Sequence, residues 1–286
     1  MVGNIRKAIA AGELYPSDQI QLRKAIEDCF YHSEGPGKLP ESKIGGSLCG
    51  IVVPHDQITR SGPIAAHAYH RIAGMDEFDS VVLVGPCQKN VSDTFSIYPS
   101  GTWEMPLGQV EVDEETCRKI ADDFPKAKLD PEPHLKESSI EVQIPFLQYV
   151  LKRPFKIVPI CVSQQDVHSC IEFGKAISKV VMERRALVVG ISNLTQNQIY
   201  AQALQKDAIV FDRLTKPAVT DMIKLHERMK EKKVQVSGYG PLTIVLTVAK
   251  QMGASKTESA KYGTSGQTTG DYSSVVGYCA MAYVKS

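Results

Sequence analysis

Short apolar runs alternate with amphipathic stretches along almost the whole chain. Compact runs of β-branched and other apolar residues occur at Leu48–Val53, Ser80–Gly85, Phe155–Val162 and Ala186–Ile191. Runs of this kind, which show no polar alternation, are typical of strands that are covered on both faces of a sheet. A further segment, Ser273–Val284, predicts a last strand in the core.

Helical patterns lie between these runs. Ser17 predicts the start of a helix whose buried stripe carries Leu22, Ile26, Cys29 and Phe30. Further helices are predicted at Gly62–Ala73, Asp113–Phe124, Ser139–Leu151, Val167–Met182, Asn197–Leu214 and Pro241–Met252. Because no break in composition is long enough to form a linker, the alternation predicts a single α/β domain over residues 1–286. Its central sheet is expected to be mostly parallel or mixed and to be flanked by helices.

Charge and composition narrow the class of protein. The 33 lysines and arginines almost balance 32 acidic residues, which argues against a general nucleic-acid binder. The hydrophobic fraction of 43% is ordinary for a globular protein, and no stretch approaches the roughly 20 apolar residues of a membrane span. The N-terminus shows no apolar signal-peptide core. The seven cysteines are an odd number without a C-x-x-C pair, so we interpret them as reduced thiols of a cytoplasmic protein.

The strongest local feature is His55, which follows the run Leu48–Val53 and precedes Asp56. Ligands of open α/β sheets gather outside the carboxyl ends of the strands. A histidine at such a strand end is well placed to bind a metal or to move a proton. The alternative interpretation is that it only hydrogen-bonds a carbonyl group in a turn.

Two other runs also end in polar side chains. Cys87 and Gln88 follow the second run, and Ser192 and Asn193 follow the fourth. These strand ends are expected to converge with His55. Alternatively, the serine and asparagine are ordinary helix caps, and the cysteine is inert packing.

Glu137 and Glu141 are four residues apart, so they are expected to share a helix face. Two carboxylates there suit acid–base chemistry, or they stabilise a helix N-terminus. The glycine-rich Ser237–Pro241 predicts a turn into a helix, a place where backbone N–H groups can hold an anion. The chain contains no Walker A, G-x-G-x-x-G, G-x-S-x-G or H-E-x-x-H motif, so the usual support for a nucleotide-binding protein, an α/β-hydrolase or a zincin is absent.

Taken in order, these segments resemble the Memo family, which is related to the class III extradiol dioxygenases. The motifs that carry the resemblance are Ala11–Pro16, Pro54-His55, Ser61-Gly62, Ala65–Tyr69, Gly85-Pro86, His134–Leu147, Ser237–Pro241, Ser265–Asp271 and Val276–Tyr278. The resemblance implies a mixed-sheet α/β domain with a pocket at the strand ends. It also implies, for some relatives, a redox metal held by two histidines and one cysteine. Microbial relatives resemble partners of a radical-SAM protein and an AMMECR-type protein, which implies a possible protein partner here.

The chain departs from the family pattern at the positions that the resemblance assigns to the metal and to proton transfer. The first metal-ligand histidine falls on His55, the second on Gln88, and the ligand cysteine on Ser237. Ser138, Asn193, Gln196 and Gln267 stand where the family has His, Asp, His and Asp. Each replacement keeps a hydrogen-bonding group but removes a titratable group or a good metal donor, because hydroxyls and amides are weak ligands for transition metals.

The sequence therefore predicts a wet pocket that has lost its metal site, with His55 as the only retained family ligand. The residues expected around the pocket are His55, Asp56, Cys87, Gln88, His134, Ser138, Asn193, Gln196, Ser237 and Gln267. No metal or cofactor is expected there. The occupant is expected to be a small neutral or polar ligand or a protein partner.

Three functions follow from these patterns. The first is a non-catalytic binding or partner module, a pseudoenzyme of the family. The second is an Fe- or Cu-dependent, dioxygenase-like oxidoreductase that uses His55 with Cys87 and with Glu137 or Glu141. The third is a metal-free hydrolase or lyase in which His55 acts as general base, oriented by Glu137 or Asp56, with Ser138, Ser192 or Cys87 as candidate nucleophiles.

Overall fold

A large mixed sheet forms the centre of the computed structural model, which describes residues 4–40, 47–73, 75, 78–87, 95–151, 153–163 and 166–285. The strands of this part of the chain are β1 (Ile5–Lys7), β2 (Ser47–Val53), β3 (Ser80–Pro86), β4 (Phe95–Ile97), β5 (Thr102–Met105), β6 (Gly108–Glu111), β7 (Ala127–Leu129), β8 (Lys156–Val162), β9 (Ala186–Ile191), β10 (Lys256–Thr264) and β11 (Gly277–Lys285). The large sheet has the order β10-β11-β2-β9-β3-β8-β4-β7. A small second sheet has the order β1-β5-β6.

Four neighbouring strands of the large sheet, β2, β9, β3 and β8, run parallel. They correspond to the four predicted apolar runs, and their residues are buried except for the first residues of β2 and β8. β11 pairs antiparallel with β2, and β4 pairs antiparallel with β8. The predicted α/β class with a mixed central sheet is confirmed, and the parallel centre aligns the carboxyl ends of four strands at one edge.

Helices cover this sheet. They are α1 (Gln19–Tyr31), α2 (Ile58–Ile72), α3 (Glu114–Asp123), α4 (Ile144–Val150), α5 (Val167–Glu183), α6 (Tyr200–Leu214), α7 (Met222–Glu231), α8 (Tyr239–Gln251) and α9 (Ser265–Thr269), together with 3₁₀ turns at Glu132–Leu135 and Glu141–Gln143. α8 packs on β2, β9 and β3, and α5 packs on α8. Gly190 permits this contact, because a Cβ atom there would lie 2.5 Å from Val245 Cγ1.

Several predicted boundaries differ from the structure for local reasons. Asp18, not Ser17, caps the first helix, since its carboxylate accepts hydrogen bonds from the N–H groups of Ile20 and Gln21. The helix predicted from residue 197 begins at Tyr200, because Asn197 has a left-handed φ of 53°.

The last strand begins at Gly277 rather than at Ser273. The predicted helix Ser139–Leu151 is divided, with a 3₁₀ turn at Glu141–Gln143 followed by α4 at Ile144–Val150. Residues 137–140 lie outside any helix, so the prediction that Glu137 and Glu141 share a helix face is wrong.

All seven cysteines are buried, and none of them forms a disulfide. Burial raises the pKa of several of them, for example the pKa of Cys170 to about 12. Such thiols behave as small apolar groups in the core. Among the helices in the described ranges, none has both the length and the apolar character that a membrane span requires.

Candidate functional site

His55 lies just beyond the carboxyl end of β2, and its main chain is fixed by the side chain of Asn193, which follows β9. The His55 N–H donates to Asn193 Oδ1 at 2.9 Å, and Asn193 Nδ2 donates to the His55 carbonyl oxygen at 2.7 Å. The parallel pairing of β2 with β9 brings these two strand ends together. A primary amide is needed for this arrangement because it offers a donor and an acceptor at once.

Ser237 approaches the same pair from the turn before α8. Its Oγ lies 3.3 Å from His55 Nε2 and accepts a hydrogen bond from the Asn193 N–H at 3.0 Å. Gly238 makes the close approach possible, since a Cβ atom there would lie 2.6 Å from the carbonyl oxygen of Ile191. The turn that the glycine-rich sequence predicted therefore presents Ser237 to the imidazole.

A cavity of about 440 Å³ opens above His55. Five of the predicted pocket residues line it: His55, Asp56, Ser138, Asn193 and Gln196. The rest of the lining consists of Ile9, Ala10, Glu13, Leu14, Lys136, Asn197 and Val276. A second cavity of about 310 Å³ is lined by Ser237 and shares Gln196 and Asn197 with the first.

Asp56 lines the cavity but is held by its neighbours. Its Oδ2 accepts a hydrogen bond of 2.6 Å from the Tyr278 hydroxyl and lies 3.7 Å from the guanidinium of Arg60. Burial, followed by the charge of Asp56, raises the pKa of Tyr278 well above its usual range, so the phenol keeps its proton as the donor. Asp56 is therefore anchored to β11 and to α2.

Glu141 lies beneath the cavity wall rather than in the cavity. Its carboxylate is completely buried and pairs with Arg6 Nη1 at 2.5 Å. The same carboxylate accepts hydrogen bonds from the N–H groups of Ile9 and Ala10 and from the Tyr15 hydroxyl. Its oxygens thus hold the N-terminal segment that forms one wall of the cavity.

Arg6 was missed by sequence reasoning, and it strengthens this wall from outside the cavity. Its guanidinium carbon lies 3.9 Å from the centroid of the Trp103 ring, and its nitrogens donate to the carbonyl oxygens of His134 and Glu137. In the sequence, Arg6 is one of two adjacent basic residues near the N-terminus. That position gives no signal that its side chain is buried.

Three of the predicted pocket residues in the described part of the chain, Cys87, His134 and Gln267, are in the lining of neither cavity. His134 is buried, with its ring nitrogens beside the Ser96 carbonyl oxygen at 3.1 Å and Cys161 Sγ at 3.4 Å. Burial lowers the pKa of His134 to about 3. Gln267 belongs to the capping box at the start of α9, where it pairs with Thr264.

Glu137 and Cys87 are buried side chains near the strand ends, and neither is in the lining of the cavity above His55. Glu137 Oε1 accepts a hydrogen bond from the Ser139 N–H at 2.9 Å. Gln88 lies outside the described residues. Burial lowers the pKa of His55, and the negative charges of Glu137 and Asp56 oppose this shift, so the imidazole is neutral at pH 7.

The chemistry of these donors does not fit the metal that the resemblance implies. In the ranges that the structure describes, no three His, Cys, Asp or Glu side chains are grouped so as to hold a metal ion. At the position of the ligand cysteine, Ser237 offers only a hydroxyl, which is a weak ligand for a soft metal, and that hydroxyl is hydrogen-bonded to His55 Nε2. Glu141 is already engaged by Arg6 and Tyr15.

Comparison with known proteins identifies the relatives of this chain. The family model described as Memo-like protein matches residues 6–282. A MEMO1 family protein of Methanopyrus kandleri is 39% identical over 281 residues, which cover 97% of this chain and 98% of the relative. MEMO1 family proteins of Sulfolobus acidocaldarius and Methanocaldococcus jannaschii are each 36% identical, and each match covers 98% of this chain and 99% of the relative. The chain therefore belongs to the Memo family.

Proposed function

We propose that this chain is a metal-independent binding module of the Memo family, whose cavity above His55 takes a small, uncharged, polar ligand. The observation that carries the proposal is the hydrogen bond between Ser237 Oγ and His55 Nε2. A metal at Nε2 would have to displace this bond, which joins the imidazole to a hydroxyl in place of a thiolate. Hydrogen bonds thus link His55, Asn193 and Ser237 to one another.

The size of the cavity favours a small molecule over a protein partner. Its volume of about 440 Å³ lies in the range of small-molecule sites, which is roughly 300–1,000 Å³. His55 on its floor is only 6% exposed, so a protein surface would have to insert a side chain to reach it.

The lining favours a ligand without net charge. Amide and hydroxyl groups of Ser138, Gln196 and Asn197 supply both donors and acceptors. The charged residues around the rim include both signs, Glu13 and Lys136. A ligand with a single strong charge would therefore meet attraction and repulsion in the same cavity.

The second candidate is an Fe- or Cu-dependent, dioxygenase-like oxidoreductase that uses His55 with Cys87 and a glutamate. It has less support, because the carboxylate of Glu141 already accepts hydrogen bonds from two backbone N–H groups, from Tyr15 and from Arg6. Pulling it onto a metal would release the N-terminal segment.

Calorimetric titration with a panel of small uncharged amides and polyols, and with their carboxylate analogues, tests the proposal. We expect uncharged members to bind and their carboxylate analogues to bind more weakly. The variant Gln196→Ala should weaken binding about fivefold, since one hydrogen bond contributes on the order of 1 kcal/mol. The matched control is Gln251→Ala at the exposed end of α8. Preferential binding of the carboxylate analogues, or binding that Gln196→Ala leaves unchanged, would contradict the proposal.

A further inference from the structure

Ser237 stands where the two cavities meet. The cavity above His55 and the second cavity share Gln196 and Asn197, and Ser237 lines the second one. Its side chain is only partly buried. A molecule in the second cavity can therefore reach the hydroxyl, while His55, which is 6% exposed, lines the first cavity.

The hydroxyl is held in place by the main chain. Ser237 Oγ accepts from the Asn193 N–H at 3.0 Å. The Ser237 N–H and the Ser237 hydroxyl both lie within donor distance of the Asn193 carbonyl oxygen, at 3.2 Å and 3.3 Å. Gly238 packs against the end of β9 with no room for a Cβ atom, which fixes the turn. Rigid placement of this kind reduces the entropic cost of bringing a nucleophile to its target.

The imidazole is fixed as well. Asn193 holds both the N–H and the carbonyl group of His55, so the ring is carried by a main chain that is anchored at the strand end. His55 Nε2 lies 3.3 Å from Ser237 Oγ, close to the separation expected for a nucleophile and its base before a substrate binds. α8 begins two residues after Ser237, so the positive end of its dipole lies beside the oxygen.

We propose that Ser237 is a nucleophile and His55 its general base, and that the pair takes up an acyl group from a small activated carboxylic ester bound in the second cavity. Ser237 Oγ attacks the carbonyl carbon, and the new C–O bond forms as the bond to the leaving alcohol breaks. The hydroxyl proton passes to His55 Nε2 and then to the alcoholate. Attack by water on the acyl group reverses these roles and restores the serine. This reactivity goes beyond the proposed binding function and does not depend on it.

Ser192, which the sequence singled out, has different hydroxyl partners. Its Oγ donates to the Asn193 carbonyl oxygen at 2.8 Å and accepts from the Gly238 N–H at 3.0 Å, and neither partner can act as a base for a nucleophile. Ser237 is the serine whose oxygen lies within hydrogen-bond distance of the imidazole in the described part of the chain. Sequence reasoning missed it as a nucleophile because it lies 182 residues from His55.

Covalent labelling with an alkyl fluorophosphonate and with p-nitrophenyl acetate tests the proposal. We expect one label per chain by intact mass, mapped to Ser237 by peptide mass spectrometry. His55→Gln should slow labelling about 100-fold, the usual contribution of a general base. Ser237→Ala should abolish it. The matched controls are His168→Gln and Ser47→Ala, both at exposed positions, and they should label at the rate of the unmodified protein.

The site of the label on the unmodified chain decides the question even if a variant fails to fold. No label under conditions that label a serine hydrolase would overturn the proposal. A label at another residue, or equal labelling rates for the unmodified protein and a folded His55→Gln variant, would do the same.

Discussion

Asn193 links two strand ends through the two different atoms of its amide group. Its oxygen accepts from the His55 N–H, and its nitrogen donates to the His55 carbonyl oxygen. A carboxylate could make the first bond but not the second, because it has no proton to donate at neutral pH. The sequence predicted that these residues meet, since parallel strands end at one edge. It did not predict that the Asn193 amide would hydrogen-bond the main chain of His55, because the direction of a side chain cannot be read from the sequence.

We expect Asn193→Asp to lower the free energy of unfolding by about 2 kcal/mol, because it removes one buried hydrogen bond and places a carboxylate against a carbonyl oxygen. The measurement is urea unfolding at pH 7. Asn197→Asp is the matched control, because Asn197 is exposed and its left-handed conformation suits either residue. Equal stabilities of the two variants would show that the amide of Asn193 holds nothing in place.

Hydrophobic runs predicted the central strands well and the edge strands poorly. β2, β3, β8 and β9 are covered on both sides, so burial selects an unbroken apolar sequence. β10 is an edge strand paired only with β11, and its residues are mostly half-exposed, which leaves the polar sequence KTESAKYGT without a strand signal.

The N-terminal segment is another element whose role the sequence did not reveal. β1 is only three residues long, and Arg6 is buried in it while Ile5 and Lys7 on either side are exposed. β1 pairs with β5, and the side-chain hydrogen bonds to Glu141 join residues more than 125 positions apart. The element therefore depends on contacts that are distant in sequence and not on any local periodicity.

We expect Glu141→Gln to release this segment, because a buried guanidinium loses its counter-charge, and breaking such a pair costs about 3–5 kcal/mol. Hydrogen exchange measured by mass spectrometry should show loss of protection in residues 5–15. Glu132→Gln, at an exposed glutamate, serves as the control. Undiminished protection of residues 5–15 in Glu141→Gln would mean that other contacts hold the cavity wall.

At the scale of the whole molecule, the cavity is assembled from segments that are distant in sequence, near residues 10, 55, 138 and 193. The segments near residues 55 and 193 follow the carboxyl ends of two parallel strands, so the sequence could predict that they meet. His134 and Gln267 were expected in the pocket through the resemblance, yet they lie in the core and in a helix cap, because a family motif fixes a position in the chain and not the direction of a side chain.

Global stability should depend on pH through the buried histidines. The pKa of His134 falls from an unfolded value of about 6.5 to about 3, so the unfolded chain binds more protons between these values. The contribution of His134 to the free energy of unfolding is therefore fully present above about pH 6.5. It is lost as the pH falls toward 3, by at most about 1.4 kcal/mol per pH unit.

His134→Gln should make the free energy of unfolding depend less on pH between about pH 6 and pH 4. The reduction in slope corresponds to about one bound proton, whatever the stability of the variant at pH 7. The measurement is urea unfolding across this range. His168→Gln changes an exposed histidine and should leave the slope as it is. If His134→Gln and the unmodified chain lose stability equally with falling pH, His134 does not titrate as the structure indicates.

The metal content of the chain tests the central claim most directly. Protein purified without chelator, incubated anaerobically with Fe(II), Cu(I) or Zn(II) and desalted, should retain well below one equivalent of any of them. Gln88→His combined with Ser237→Cys should gain a metal that the unmodified chain does not hold, because it restores the imidazole and the thiolate that the resemblance assigns to the metal site. About one equivalent of iron, copper or zinc in the unmodified chain, lost in His55→Gln, would contradict the account.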